Sequence, residues 1–168
     1  MGTRQQLQFK EIVWREEPLC TDLEIIREIV ESSGFFSVQE TRIAVELVEE
    51  RLNKGTSSGY CFLFAENREK VLGYSCFGPI PCTENSYDLY WIAVKNELRG
   101  LGLGEEILKR TEEKIRLSGG NRIYVETSSR AQYGPTQAFY TKCGYSKEAV
   151  IKDFYSKGDD KIIYVRFL

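Results

Sequence analysis

The sequence predicts a single α/β domain over residues 1–168, a mixed sheet of six to seven strands with about four helices. Three observations carry this prediction. The run "YDLYWIAV", a glycine-rich turn, an amphipathic helix and the run "RIYVET" follow one another without interruption, and a strand, crossover helix and strand close as a parallel pair. Two other stretches fold back through short polar turns, as antiparallel hairpins do. Helix start signals of the S/T-x-x-E type occur twice before residue 50.

In chain order, "QLQFKEIVW" alternates Leu7, Phe9 and Ile12 with polar residues and reads as a first strand ending near Trp14. Two helices are expected next, opened by capping boxes at Thr21–Glu24 and Ser37–Glu40 and stopped at Gly34 and Gly55. "YCFLFA" and "VLGYSCFG" flank the charged turn 66–70 as a hairpin, and Pro79 and Pro81 then end the pairing because proline lacks the ladder donor. The apolar run at residues 87–94 reads as a central strand. In the helix after it, Leu103, Ile107, Thr111 and Ile115 recur at four, and Glu105/Lys109, Glu106/Arg110 and Glu112/Arg116 are expected on the surface. Gly119 and Gly120 end that helix, "RIYVET" follows, and a short helix is expected from about Pro135 to Cys143. The tail reads as two strands folded through Gly158, Asp159 and Asp160.

Composition narrows the function. A length of 168 residues with 42% hydrophobic and 29% charged residues fits one globular domain. Net charge is −2 and the two signs are interspersed, so nucleic acid is not an expected partner. Apolar runs such as "YCFLFA" fall far short of the roughly 20 residues that cross a bilayer, the start lacks a signal-peptide apolar region, and Gln6 stands where the myristoylation pattern requires Ser or Thr. A cytoplasmic protein without membrane partners is expected, monomeric or homodimeric. Cys20, Cys61, Cys76, Cys82 and Cys143 make an odd set without a C-x-x-C pair and read as reduced thiols. The chain has no histidine, which removes His-based triads and most zinc sites; no metal is expected. Any general base must be a carboxylate, Tyr, Lys, Cys or water.

The stretch "ELRGLGLGEEILKR" carries the strongest functional signal. Gly100, Gly102 and Gly104 occupy alternate positions just before a helix, although glycine disfavours helix and loses the most backbone freedom on folding. A turn at a strand's carboxyl end that opens a helix aims several N–H groups and the positive end of the helix dipole at one point, and an anion fits there. Each N–H to a charged oxygen contributes about 1.5–3 kcal/mol and the dipole about 0.3–2, so the amides dominate. Arg99 adds a mobile positive charge. A Walker A loop fails, because Glu105 stands where Gly-Lys-Ser/Thr is required. The dinucleotide fingerprint G-x-G-x-x-G would place its third glycine on Glu105, and a dinucleotide fold needs more strand–helix units than remain. The bland alternative is a glycine-rich connection with no ligand.

"IAVKNELRGLGLGEEIL" resembles the acetyl-coenzyme A motif Arg/Gln-x-x-Gly-x-Gly/Ala of the GCN5-related N-acetyltransferases (GNAT), with Arg99, Gly102 and Gly104 in the motif positions. "AFYTKCGY", residues 138–145, resembles the same family's later signature, a helix carrying Tyr followed four residues on by Gly and an aromatic. The resemblance covers residues 88–145 well. It implies a bent sheet whose central parallel strands splay apart, and acetyl-CoA as co-substrate. It also implies that Ile92, Ala93 and Val94 line the pantetheine arm, Ile92 and Val94 through backbone hydrogen bonds. Arg99, Gly100, Leu101, Gly102, Leu103 and Gly104 would surround the diphosphate, and Thr136, Phe139 and Lys142 would lie near the cofactor.

The implied reaction transfers acetyl to a primary amine of a small molecule or amino acid. A protein N-terminus or lysine as acceptor, and a silent acyl-CoA-binding sensor, are the alternatives. An alkyl amine with pKa near 10 is neutral only about once in a thousand molecules at pH 7, so a base is useful. By resemblance Glu126 takes that role and Asp88 is the second choice; Glu126 also reads as a strand-end carboxylate paired with Arg122 or Arg130. Tyr140 resembles the family's general acid for the departing thiolate, and its spacing equally fits packing beside Phe139 and Cys143. The N–H of Val94 would polarise the thioester carbonyl. The chain departs from the ribosomal-protein acetyltransferase pattern in a longer loop between Glu126 and Tyr140 and in Tyr133, which stands in place of asparagine. Tyr60, Phe77, Tyr133, Phe154 and Tyr155 are read as core before they are read as an acceptor pocket.

Overall fold

The structure is a computed structural model and describes residues 11–168; Leu7 and Phe9 of the expected first strand lie outside the described residues. The elements run β1 (Val13–Arg15), α1 (Asp22–Ser32), α2 (Val38–Lys54), β2 (Cys61–Asn67), β3 (Lys70–Pro79), β4 (Ser86–Val94), α3 (Leu103–Leu117), β5 (Arg122–Ser128), α4 (Gly134–Lys142), β6 (Ser146–Ser156) and β7 (Asp159–Phe167). Among the described residues the strands form a seven-stranded sheet in the order β1-β2-β3-β4-β5-β7-β6. β4 and β5 pair in parallel from Ser86↔Arg122 to Asp88↔Tyr124, as the crossover through α3 requires, while β1–β2, β5–β7 and β6–β7 are antiparallel. The mixed sheet is therefore as the sequence predicts.

By internal contacts the chain divides into two units, one holding the described residues up to Cys76 with Trp91–Thr111, the other Phe77–Tyr90 with Glu112–Leu168. In the first unit, Ile12, Ala65, Leu103 and Ile107 form a buried cluster against which Trp14, Leu72, Ile92, Val94 and Leu98 pack. The helical repeat at four explains this, since Leu103, Ile107 and Thr111 on α3 are fully buried. The buried Thr111 hydroxyl is satisfied by the Ile107 carbonyl at 2.8 Å and by Ser75 Oγ at 2.7 Å. Ser37 caps α2 as predicted: its hydroxyl accepts from Glu40 N–H at 3.2 Å while the Glu40 carboxylate accepts from Ser37 N–H at 2.7 Å.

The first capping box does not form. Thr21 already has helical angles and its side chain makes no capping bond. Asp22 anchors this end instead: fully buried, its carboxylate accepts from Leu19 N–H at 2.7 Å and from both Arg15 Nη atoms at 2.8 and 2.9 Å. A buried carboxylate requires that many donors. The hairpin turn is also tighter than expected. The strands continue to Asn67 and resume at Lys70, leaving Arg68 and Glu69, with φ of +48° and +64°, as a two-residue turn whose twist matches the strands.

In the second unit Ile115 is fully buried, and a Cβ on Gly120 would lie 2.4 Å from its Cγ2 and 2.7 Å from the Tyr87 ring. Glu112 corrects the expected surface pair with Arg116. It is buried, accepts from the Tyr145 hydroxyl at 3.1 Å and faces Arg166 at 3.4 Å, and burial raises its pKa. The tail hairpin turns one residue earlier than predicted, at Lys157 and Gly158. Asp159 instead opens β7, buried, accepting from Ser128 Oγ at 2.5 Å and Arg130 Nε at 2.6 Å. Those donors hold its carboxyl below the usual range, the Ser128 hydroxyl foremost.

Candidate active site

The glycine turn lies in the first unit. After β4 the Lys95 N–H donates to Leu72 O at 2.9 Å, a single 3-10 turn spans Asn96–Leu98, and Arg99 is extended. Gly100 and Gly102 have φ of +73° and +90°, a region that favours glycine over residues carrying a Cβ. The first helical bond runs from Glu106 N–H to Gly102 O at 3.1 Å. The N–H groups of Gly102, Leu103, Gly104 and Glu105 thus precede every intrahelical acceptor and form the donor end of α3. The Leu103 side chain is fully buried in the core, as Ile92 and Val94 partly are, so these residues offer a ligand their backbone.

Arg99 is not a freely mobile charge. Its guanidinium stacks 4.3 Å over the Phe35 ring, and burial lowers its pKa from the usual value. Phe36, next in the same connection, packs on Trp91 with ring centroids 5.0 Å apart, and the buried Trp91 Nε1 has no hydrogen-bond partner among the described residues. Sequence reasoning missed Gly73. A Cβ there would lie 2.8 Å from both Ala93 O and Val94 Cγ1, so glycine lets β3 lie close against β4. A lone glycine within a strand pattern is the signal that would have found it.

The candidate titratable groups lie in the second unit. Asp88 stands in register with Tyr124, and Glu126, two residues further along β5, shares its face. Glu126 pairs with neither Arg122 nor Arg130: Lys161 Nζ lies 2.6 Å from its Oε2. Arg122 sits over Phe167 and Arg130 serves Asp159. Lys161 was not singled out in the sequence; it reaches Glu126 because Ser128↔Lys161 lies two ladder steps from Glu126↔Ile163 and so shares its face. The Lys161 ammonium also lies 4.3 Å over the Phe154 ring. Partial burial and then the Glu126 charge push Asp88 up to about 6, and Lys161 opposes them.

Tyr140 on α4 is buried among aromatic rings, 5.3 Å from Phe139, 5.5 Å from Tyr145 and 6.1 Å from Tyr164 between centroids. Burial raises its phenol pKa, with the Cys143 thiol adding to the effect. Tyr164 stands in register with Val125, one step from the Glu126↔Ile163 pair, so the ring that Tyr140 touches lies on the opposite face of the β5–β7 ladder from Glu126 and Lys161. On the same helix Thr136 and Phe139 are half-buried and Lys142 is exposed. Of the five aromatics expected in the core, Phe77 and Tyr133 are buried and Tyr60 half-buried, whereas Phe154 and Tyr155 are 51% and 48% exposed. The latter two follow Asp153 at φ +52°, where β6 bulges out of register with β7. Among the described residues no group of three or more Cys, Asp or Glu is arranged to hold a metal ion, and no helix is long and apolar enough to cross a membrane.

The model of the acetyltransferase (GNAT) family matches residues 23–145. An uncharacterized N-acetyltransferase of Methanocaldococcus jannaschii is 30% identical over 106 residues, 63% of this chain and 65% of that protein, so the match spans just under two thirds of the relative. The crystal structure of a GNAT-family protein from Desulfovibrio desulfuricans superposes with a TM-score of 0.90 at 45% identity, covering 93% of this chain and 98% of that one. The PaiA N-acetyltransferase of Thermoplasma acidophilum, solved with coenzyme A, shares the fold at a TM-score of 0.72 and 19% identity over 94% of this chain and 99% of its own. With the family model covering most of its length and the fold agreeing, this chain belongs to the GCN5-related N-acetyltransferase family.

Proposed function

We propose that this protein, working as one acetyltransferase domain, transfers the acetyl group of acetyl-CoA directly to a primary amine of a small molecule or amino acid. The observation that carries the reading is the donor end of α3, four leading N–H groups that follow two glycines at positive φ. Acetyl-CoA supplies an activated acyl group on a sulfur leaving group. The amides of Leu101, Gly102, Leu103 and Gly104 would hold its diphosphate, with Arg99 close in sequence, and the backbone of Ile92, Ala93 and Val94 its pantetheine arm. Thr136, Phe139 and Lys142 would border it on α4.

Direct transfer needs a proton taken from the amine and a proton given to the sulfur. Asp88 and Glu126 offer two carboxylates on one face of the sheet. Tyr140 packs on the other face of the β5–β7 ladder, and burial keeps its phenol protonated and able to donate. A base and an acid separated in this way suit an amine that arrives opposite the departing thiol.

Calorimetric titration with acetyl-CoA, followed by free-thiol release over a panel of small amines, amino acids and peptides, tests the reading. Micromolar binding and release with small amines are expected. Binding without release for any amine would make the protein a sensor, release with peptides alone would make it a peptide acetyltransferase, and no affinity at millimolar cofactor would overturn the whole assignment.

A further inference from the structure

We propose that Lys161 is a positioning residue that separates the roles of the two carboxylates: by holding Glu126 in an ion pair it leaves Asp88 as the group that takes the proton from the acceptor amine. This rests on the acetyl-transfer reading and names the base that reading leaves open.

Lys161 Nζ lies 2.6 Å from Glu126 Oε2, and the lysine side chain is only 14% exposed. The position is fixed from two sides. Register with Ser128 sets the backbone, and the Phe154 ring lies 4.3 Å from the ammonium. Phe154 is itself held on the β6 bulge, where Asp153 takes the Gly158 N–H at 2.6 Å and its own N–H donates to Asp160 at 2.9 Å. The charged groups on Asp88's face come from two neighbouring strands, Arg122 and Glu126 from β5 and Lys161 from β7, and of these Glu126 raises and Lys161 lowers the Asp88 pKa. The ammonium in contact with Glu126 occupies one of its oxygens, so that oxygen is not open to an incoming amine proton. Asp88 lacks such a contact with Lys161, stands half-buried, and feels the Glu126 charge, all of which increase its basicity. The balance is simple. The acceptor ammonium gives one proton to the Asp88 carboxylate, the neutral nitrogen bonds to the acetyl carbon as the C–S pair leaves with sulfur, sulfur takes a proton from Tyr140, and the second nitrogen proton returns to the phenolate.

The test follows the carboxyl titration by 13C NMR, with Asp88→Asn assigning the resonance, and in parallel the pH profile of kcat/KM. Lys161→Met is expected to raise the Asp88 midpoint by about one pH unit and to carry the acid limb of the profile with it, while leaving the plateau at high pH within about twofold. Lys161→Arg restores the wild-type limb. Glu126→Gln lowers the midpoint, which tests the same coupling without touching Lys161. A midpoint unmoved in both Lys161→Met and Glu126→Gln overturns the proposal, as does loss of the plateau in Glu126→Gln with retention in Asp88→Asn. The NMR midpoints need no acceptor, so a protein that releases no thiol with any amine defeats the acetyl-transfer reading and leaves the coupling separately measured.

Discussion

The glycine turn and the carboxylate face are built from different materials. At the turn the ligand-facing groups are main-chain amides, and the side chains around them are engaged elsewhere: Leu103 in the core, Arg99 on Phe35, Glu106 with Arg110 at 2.7 Å. On the carboxylate face the chemistry lies in side chains whose properties are set by neighbours on other strands, Asp88 on β4, Glu126 on β5 and Lys161 on β7. Main-chain amides do not titrate, whereas paired carboxylates change charge with pH and with each neighbour's charge. The first region should therefore answer to backbone geometry and the second to protons.

Asp88→Asn gives the sharpest contrast. It should lower kcat/KM by about 10²–10⁴-fold, the usual contribution of a general base, while acetyl-CoA affinity by calorimetry stays unchanged. In the wild type kcat/KM should rise with pH through about 6 as Asp88 ionises. Stability should move the other way. The folded pKa lies above the ordinary value of 3.8, so the folded state binds the proton more tightly; its contribution is complete below about pH 4 and is lost as pH rises through about 6. Asp88→Asn should abolish that part of the pH dependence in urea unfolding. An unchanged rate would assign the proton to Glu126 or water.

Gly102→Val is the reciprocal test. At φ +90° a β-branched residue is strained by about 1–3 kcal/mol, and the amides should lose their aim, weakening acetyl-CoA by roughly 10–100-fold without displacing the acid limb. Arg99→Ala is milder. Calorimetry should show affinity falling about tenfold and not to zero, because the amides supply most of the grip. Loss of all binding in Arg99→Ala would mean that a side chain dominates after all.

The two regions differed equally in how much the sequence disclosed. The turn was legible because glycine spacing, the preceding strand and the helix repeat are local, and Gly100 and Gly102 do have positive φ. The carboxylate face was only half legible. Asp88 and Glu126 could be named from their motifs, but the partner of Glu126 depends on the β5–β7 register across 35 residues of chain, so Arg122 and Arg130, nearer in sequence, were the natural wrong choices. Phe154 and Tyr155 were misread as core because the bulge after Asp153 turns them outward, and no residue pattern marks that bulge. Glu112 was misread as surface because the helix repeat gives no sign that Tyr145 and Arg166 cover it. The fold itself, with its parallel β4–β5 pair and antiparallel flanks, depended on local signals and came through almost whole.

The smallest effect tests the same distinction between local and distant partners at the two predicted caps. Ser37 and Thr21 share the S/T-x-x-E pattern, yet only Ser37 bonds the N3 amide of its helix. Ser37→Ala should cost about 1 kcal/mol, a drop in Tm of about 2–4 °C for a chain of this size. Thr21→Ala should fall within about 0.5 kcal/mol of wild type, since the start of α1 is held by Asp22 and Arg15 rather than by a hydroxyl. Thermal unfolding of both variants in one buffer decides the matter. Equal losses would mean that Thr21 caps α1 in solution and that the local pattern governs both helices; a loss at Ser37 alone would mean that a contact from β1 has replaced the cap at α1.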